Sequence, residues 1–84
     1  MNYCLITFRS VTPAQHGESL LRRSGIPCDL RRTPRWMEAQ GCGYSLRLRL
    51  QDAQKATELL RGNQVTFRKV YLQKENSVIE EMTL

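Results

Sequence analysis

Residues 44–50 alternate without a break. Tyr44, Leu46, Leu48 and Leu50 are apolar, while Ser45, Arg47 and Arg49 between them are polar. A side-chain period of two puts the leucines on one face of a strand and the arginines on the other. One face is then buried and the other wet, which is the pattern of an antiparallel sheet covered on one side only. Any fold for this chain must supply a cover for that leucine face and partners for the strand edges.

The remaining sequence offers both. Tyr3–Phe8 is apolar and rich in strand formers, so it reads as a strand. Thr12-Pro13 reads as an N-cap followed by proline at the first helical position. A helix then runs over Ala14 to Ser24 with Leu20 and Leu21 inward, and Gly25 stands where a helix stops. Ile26-Pro27 turns the chain into a second strand, Cys28–Arg32. Thr33 to Gly43 is irregular, with Thr33-Pro34 able to cap one short turn ending at Gly41. After the alternating strand, Asp52 caps a second helix, Ala53–Arg61, with Ala56, Leu59 and Leu60 inward and Gly62 as its stop. Val65–Leu72 reads as the last strand, without a clear inward phase. Gln73–Leu84 reads as a frayed tail or a short helix that Val78, Ile79 and Met82 would anchor.

The order strand, helix, strand, strand, helix, strand predicts an α+β, ferredoxin-like βαββαβ sandwich. Its four-stranded antiparallel sheet carries both helices on one face. With 84 residues there is room for one domain, expected over 1–73 and followed by an acidic C-terminal tail at 74–84. That length excludes a doubly wound nucleotide-binding domain or a TIM barrel. A domain this small buries only about 60–65% of its unfolded surface, so a homodimer interface would add stability.

Charge narrows the partners. Residues 1–73 hold 12 basic and 5 acidic side chains, and 10 of the chain's 13 cations are arginine. Arg31, Arg32, Arg35, Arg47 and Arg49 fall within 19 residues that contain one acid, Glu38. Such a run attracts phosphates or acidic protein surfaces and lowers the pKa of a nearby thiol. A solvated basic face without a partner is an equal alternative. The start of the chain lacks a basic stretch followed by a long apolar run, and no stretch is long enough to span a membrane, so a cytoplasmic protein is expected.

The cysteines at 4, 28 and 42 are odd in number and form no C-x-x-C, and with one histidine they complete no zinc pattern. No metal or cofactor is expected. Cys4 shares a strand face with Ile6 and Phe8, and Cys28 with Leu30, so both read as small core hydrophobes with raised pKa. Cys42 stands between Gly41 and Gly43, where no neighbouring side chain shields the sulfur. Near arginines such a thiol is more thiolate and more nucleophilic. The alternative is an incidental cysteine in a hairpin loop. In the expected topology this loop lies at the end where both helices finish, so their dipoles oppose the thiolate, and His16 sits at the far end.

The segment Tyr3–Phe8 with its following turn and helix, Gly25-Ile26-Pro27, Thr33-Pro34-Arg35, and Cys42-Gly43-Tyr44-x-Leu46-Arg47 together resemble the small bacterial selenium/sulfur carrier-like domains. The resemblance covers roughly residues 3–72, and it departs at Trp36–Gly41 and in the acidic tail. It implies a carrier rather than a catalyst. The family's cysteine falls on Cys42, which would hold activated sulfur or selenium as a persulfide or perselenide. Arg31, Arg32, Arg35, Arg47 or Arg49 would stabilise the anion. A cysteine desulfurase or selenocysteine lyase would be the donor, and an acceptor protein would follow. The lack of a resolving cysteine near Cys42 suits a carrier better than an oxidoreductase.

Two other functions compete. The same fold binds RNA when aromatic residues on the open sheet face stack bases, but here the third strand shows Ser45, Arg47 and Arg49 there, and Tyr3 is the one aromatic candidate. A regulatory or dimerisation module would use the open sheet face, with Trp36 as an anchor.

Overall fold

The computed structural model describes residues 2–33, 43–74 and 79–82. Five strands and two helices follow in the order β1 (Tyr3–Phe8), α1 (Val11–Arg23), β2 (Cys28–Arg32), β3 (Tyr44–Arg49), α2 (Ala53–Gly62), β4 (Val70–Gln73) and β5 (Ile79–Met82). A single 3-10 turn, Leu50–Asp52, leads into α2. The strands form one sheet in the order β2-β3-β1-β4-β5, antiparallel throughout. The expected four-stranded sheet is thus a five-stranded one. Residues 79–82 are a strand rather than a frayed tail or helix, with Val70 opposite Met82 and Gln73 opposite Ile79.

Register fixes the two faces. Cys4, Ile6 and Phe8 of β1 lie opposite Leu48, Leu46 and Tyr44 of β3, and this face meets the helices in one core. Ala14, Leu20 and Leu21 of α1, and Ala53, Ala56 and Leu60 of α2, are buried in the same cluster. The other face presents Tyr3, Leu5 and Thr7 opposite Arg49, Arg47 and Ser45, with Tyr71 and Gln73 on the β4 side. Tyr71 is therefore a second aromatic on the open face, which the unclear phase of the last strand concealed.

Both helices close in the same way. In α1 the Ile26 N–H donates to Leu21 O at 2.9 Å and Gly25 N–H to Arg22 O at 3.1 Å; in α2 Val65 donates to Leu60 at 2.9 Å and Gln64 to Arg61 at 3.1 Å. This is the Schellman arrangement, with a left-handed residue after the cap and a buried apolar residue beyond it. The left-handed residue is Gly25 (φ 83°) in α1 but Gln64 (φ 60°) in α2. Gly62, expected as the stop, is the last helical residue instead. The buried apolar residues are Ile26 and Val65.

That closure explains why the last strand starts at Val70 and not Val65. Val65 is pinned beneath α2, and the chain then meets β1 irregularly. Thr7 donates its N–H to Lys69 O at 2.8 Å and accepts Arg68 N–H on its carbonyl at 2.7 Å. Its hydroxyl accepts the Lys69 N–H at 3.1 Å. A side chain occupying a ladder donor interrupts regular pairing. At the other helix, α1 begins two residues earlier than Thr12-Pro13 suggested, with Ser10 as N-cap. Pro13 still lies in the first turn, where no intrahelical N–H donor is needed. Among the described residues no helix is long and apolar enough to cross a membrane.

The core packs tightly against Gly17 of α1. A Cβ there would meet Leu60 Cδ2 and Phe8 Cζ at 3.2 Å and Leu46 Cδ1 at 3.3 Å. In an exposed helix Gly→Ala stabilises by about 1 kcal/mol. Here overpacking of three fixed core side chains outweighs that gain, and Gly17→Ala is expected to destabilise by about 1–2 kcal/mol in urea unfolding. Gln64→Gly should do the reverse, raising stability by roughly 0.5–1 kcal/mol, because glycine removes the left-handed strain. A stabilised Gly17→Ala or a destabilised Gln64→Gly would contradict these packing and backbone assignments.

Candidate functional site

Two of the three thiols are placed by strand register. Cys4 on β1 is fully buried on the helix-covered face, and burial alone pushes its pKa up to about 12. Cys28 opens β2 on the same face and is also buried. Its thiol is raised by burial, against the opposing pull of the Arg22 guanidinium. Its Sγ lies 3.9 Å from Glu18 O as a weak donor. Arg22 spans the turn, donating Nη2–H and Nε–H to Cys28 O at 2.9 and 3.3 Å. Both cysteines are free. Each stands opposite Leu48, one on either side of it. They are thus two strand spacings apart, about 10 Å, beyond the reach of a disulfide. Buried, protonated thiols make poor nucleophiles, and this fits the core reading of both.

Arg35, Gly41, Cys42 and Trp36 lie outside the described residues. The two residues flanking that segment are described. Thr33 donates its N–H to Gly43 O at 2.9 Å and so closes the β2–β3 ladder beyond Arg32 and Tyr44. Thr33 is buried, and its Oγ1 has no hydrogen-bond partner. Arg31 and Arg32 are exposed immediately before it, with the Arg32 guanidinium 5.9 Å from the Tyr44 ring centre.

Arg47 and Arg49 sit further along β3, roughly 13 and 20 Å of extended strand from Gly43. Each is engaged locally. Arg47 lies 4.7 Å over the Tyr3 ring and pairs with Asp29 at 3.6 Å. Arg49 places Nη2 and Nε each 3.0 Å from Asp52 Oδ2. Tyr3, Pro27, Cys28, Asp29, Arg47 and Arg49 wall a hollow of about 190 Å³. Among the described residues no group of acids, histidines and cysteines could hold a metal ion.

The end of the sheet bearing Thr33 and Gly43 is also where β1 finishes, since Phe8 lies opposite Tyr44. α1 therefore starts at this end and α2 finishes there, correcting the expectation that both helices finish at it. Their dipoles act in opposite senses here. His16, exposed in the second turn of α1, is on the same end's half of the molecule and not at the far end.

The profile of the family described as "Putative Se/S carrier protein-like" matches residues 3–72. The chain belongs to that family. No curated protein and no solved structure matches it. In this Se/S carrier-like protein the match spans every element from β1 to β4 and ends one residue short of the end of β4.

Sequence reading grouped the cations by their nearness along the chain and so missed Arg9, Arg61, Arg68 and Lys69. They sit at the end of β1, the end of α2 and the approach to β4. Placing element ends by topology, rather than counting arginines in a window, was the signal that could have found them.

The buried thiols predict a pH dependence. Cys4 ionises near 9 in the unfolded chain and near 12 in the folded one. Below pH 9 both states hold the proton and nothing is lost. Above it the unfolded state releases its proton first, so stability falls as pH rises from about 9 toward 12, by up to roughly 4 kcal/mol. Cys4→Ala should show a visibly flatter decline in urea unfolding between pH 8 and 10.5. Parallel declines for the two proteins would refute the burial of this thiol.

Proposed function

We propose that this chain carries activated sulfur or selenium as a persulfide or perselenide on Cys42, as a ferredoxin-like βαββαβ unit with one added edge strand. The observation that supports the reading most is how the thiols divide. Cys4 and Cys28 are committed to the core with raised pKa values, in a chain that belongs to a Se/S carrier-like family. Cys42, between Gly41 and Gly43, is the thiol left for transfer.

The transfer step needs no net oxidant. The Cys42 thiolate attacks the terminal sulfur of a donor's enzyme-bound persulfide. A sulfur–sulfur bond forms to Cys42, the donor's own sulfur–sulfur bond breaks, and its electron pair leaves with the donor thiolate. The persulfide formed is more acidic than a thiol and sheds its proton to solvent. Arg31 and Arg32, one and two residues before Thr33, are the described guanidiniums nearest in sequence to this segment. Arg35 belongs to the segment itself, and Arg47 and Arg49 act from further along β3. The donor is a cysteine desulfurase or selenocysteine lyase, the acceptor is a second protein, and the compartment is the cytoplasm. The protein itself is a carrier and not a catalyst.

Incubation with a cysteine desulfurase and cysteine, followed by intact mass spectrometry, tests the reading. The wild type should gain one sulfur atom, removable by a thiol reductant. Cys4→Ala and Cys28→Ala should load to within about twofold of wild type, and Cys42→Ser should fall at least tenfold. Loading that survives in Cys42→Ser, or that spreads evenly over the three thiols, overturns it.

A further inference from the structure

Six exposed cations scattered along the chain converge on one end of the sheet: Arg9, Arg31, Arg32, Arg61, Arg68 and Lys69. Arg9 follows the last residue of β1, and Arg31 and Arg32 are the last residues of β2. The Arg68 N–H bonds Thr7 O, and Lys69 adjoins the same residue. The Arg61 guanidinium lies 5.2 Å from the Phe67 ring centre, which brings the end of α2 alongside. From β2 to β4 the cations span three strand spacings, about 14 Å.

The opposite end differs in kind. There Arg22 pairs with Glu18 at 3.3 Å, Arg49 with Asp52 at 3.0 Å and Lys74 with Glu80 at 2.9 Å. At the cationic end Lys69 pairs with Glu81 at 3.4 Å. Among the described residues, no carboxylate lies within ion-pair distance of Arg9, Arg31 or Arg32. The start of α1 adds no acid in its first turn; its partial positive charge and the negative end of α2 oppose one another here, so the field rests on the side-chain cations.

We infer that this end of the sheet is a docking surface for an acidic face of a partner protein, which meets the chain around residues 33 and 43. Acidic protein fits better than nucleic acid because of the rings. Among the described residues, the half-buried rings at this end, Tyr44 and Phe67, pack against the core and have the Arg32 and Arg61 guanidiniums over them. Neither offers a free face to a base, and stacked bases supply much of the affinity for single strands. Carboxylates need no ring and suit exposed guanidiniums in bidentate pairs. That the partner is the sulfur donor or acceptor rests on the carrier reading; the surface itself does not.

The test uses the full chain and two fluorescein-labelled probes, a twelve-residue polyglutamate peptide and a twelve-nucleotide oligouridylate, read by anisotropy. Peptide binding should weaken steeply between about 20 and 200 mM salt. Arg9→Gln/Arg61→Gln/Arg68→Gln, which spares the arginines assigned to the persulfide, should weaken it about tenfold, and Arg22→Gln/Lys74→Gln at the opposite end less than about twofold. Should the triple variant not fold, Arg9→Glu alone is expected to weaken binding about threefold. Equal losses at the two ends, or no loss at either, overturn the surface. Oligouridylate binding tighter than the peptide at about 150 mM salt, and lost in the same variant, overturns the choice of partner. Loading of Cys42 by inorganic polysulfide, followed on the same proteins, reads the carrier role separately. Failure there leaves the surface standing, and unchanged peptide binding leaves the carrier standing.

Discussion

Everything in this domain is hung on β1. It lies between β3 and β4, and its three inward residues Cys4, Ile6 and Phe8 are fully buried. Phe8 Cζ converges with Leu46 and Leu60 on Gly17 of α1, where a Cβ would crowd all three. A larger residue at 17 would lift α1 from Leu46 and Leu60 together, since packed interiors have little slack. Thr7, on the other face of the same strand, ties down the irregular approach to β4. One six-residue strand thus sets both the thickness of the core and the place where the last strand begins.

The same strand decides the fate of a thiol. Cys4 occupies a position where only an apolar side chain fits, and desolvation then suppresses its ionisation. Cys28 meets the same environment with a partial offset from Arg22. Burial is therefore a chemical sorting step: sulfur placed under the helices becomes packing material. In a chain of a Se/S carrier-like family, that sorting is the ground on which Cys42 is proposed as the reactive thiol.

Much of this was legible because the alternation at 44–50 and the apolar run at 3–8 are local signals of burial. The helices were legible in place, with ends shifted by up to three residues. Pro13 tolerates any first-turn position, and the left-handed residue after α2 is Gln64 and not a glycine, a conformation that composition does not announce. The fifth strand was missed because Ile79–Met82 carries two glutamates, Glu80 and Glu81, and reads as polar. As an edge strand it has solvent beside it, and Glu80 and Glu81 find Lys74 and Lys69. The cationic end was illegible for a different reason. Its members are separated by up to sixty residues in the chain, and only the register of β1 against β3 and β4 gathers them.

A carrier of the kind proposed must meet partners quickly and leave them. Long-range charge suits that task better than an apolar patch does. Electrostatic complementarity raises the rate of encounter and orients the approach, while exposed, screened ion pairs add little to the lifetime of the complex. Among the described residues the only large hydrophobic left exposed is Val11, so little apolar surface is available there to hold a partner in place. The cations are instead concentrated at the end of the sheet bearing Thr33 and Gly43, and among the described residues Glu18, Asp29, Asp52 and Glu80 are held in ion pairs away from it. A partner drawn by that field would meet the chain at the Thr33–Gly43 end of the sheet, and exposed, screened ion pairs there would let it leave readily.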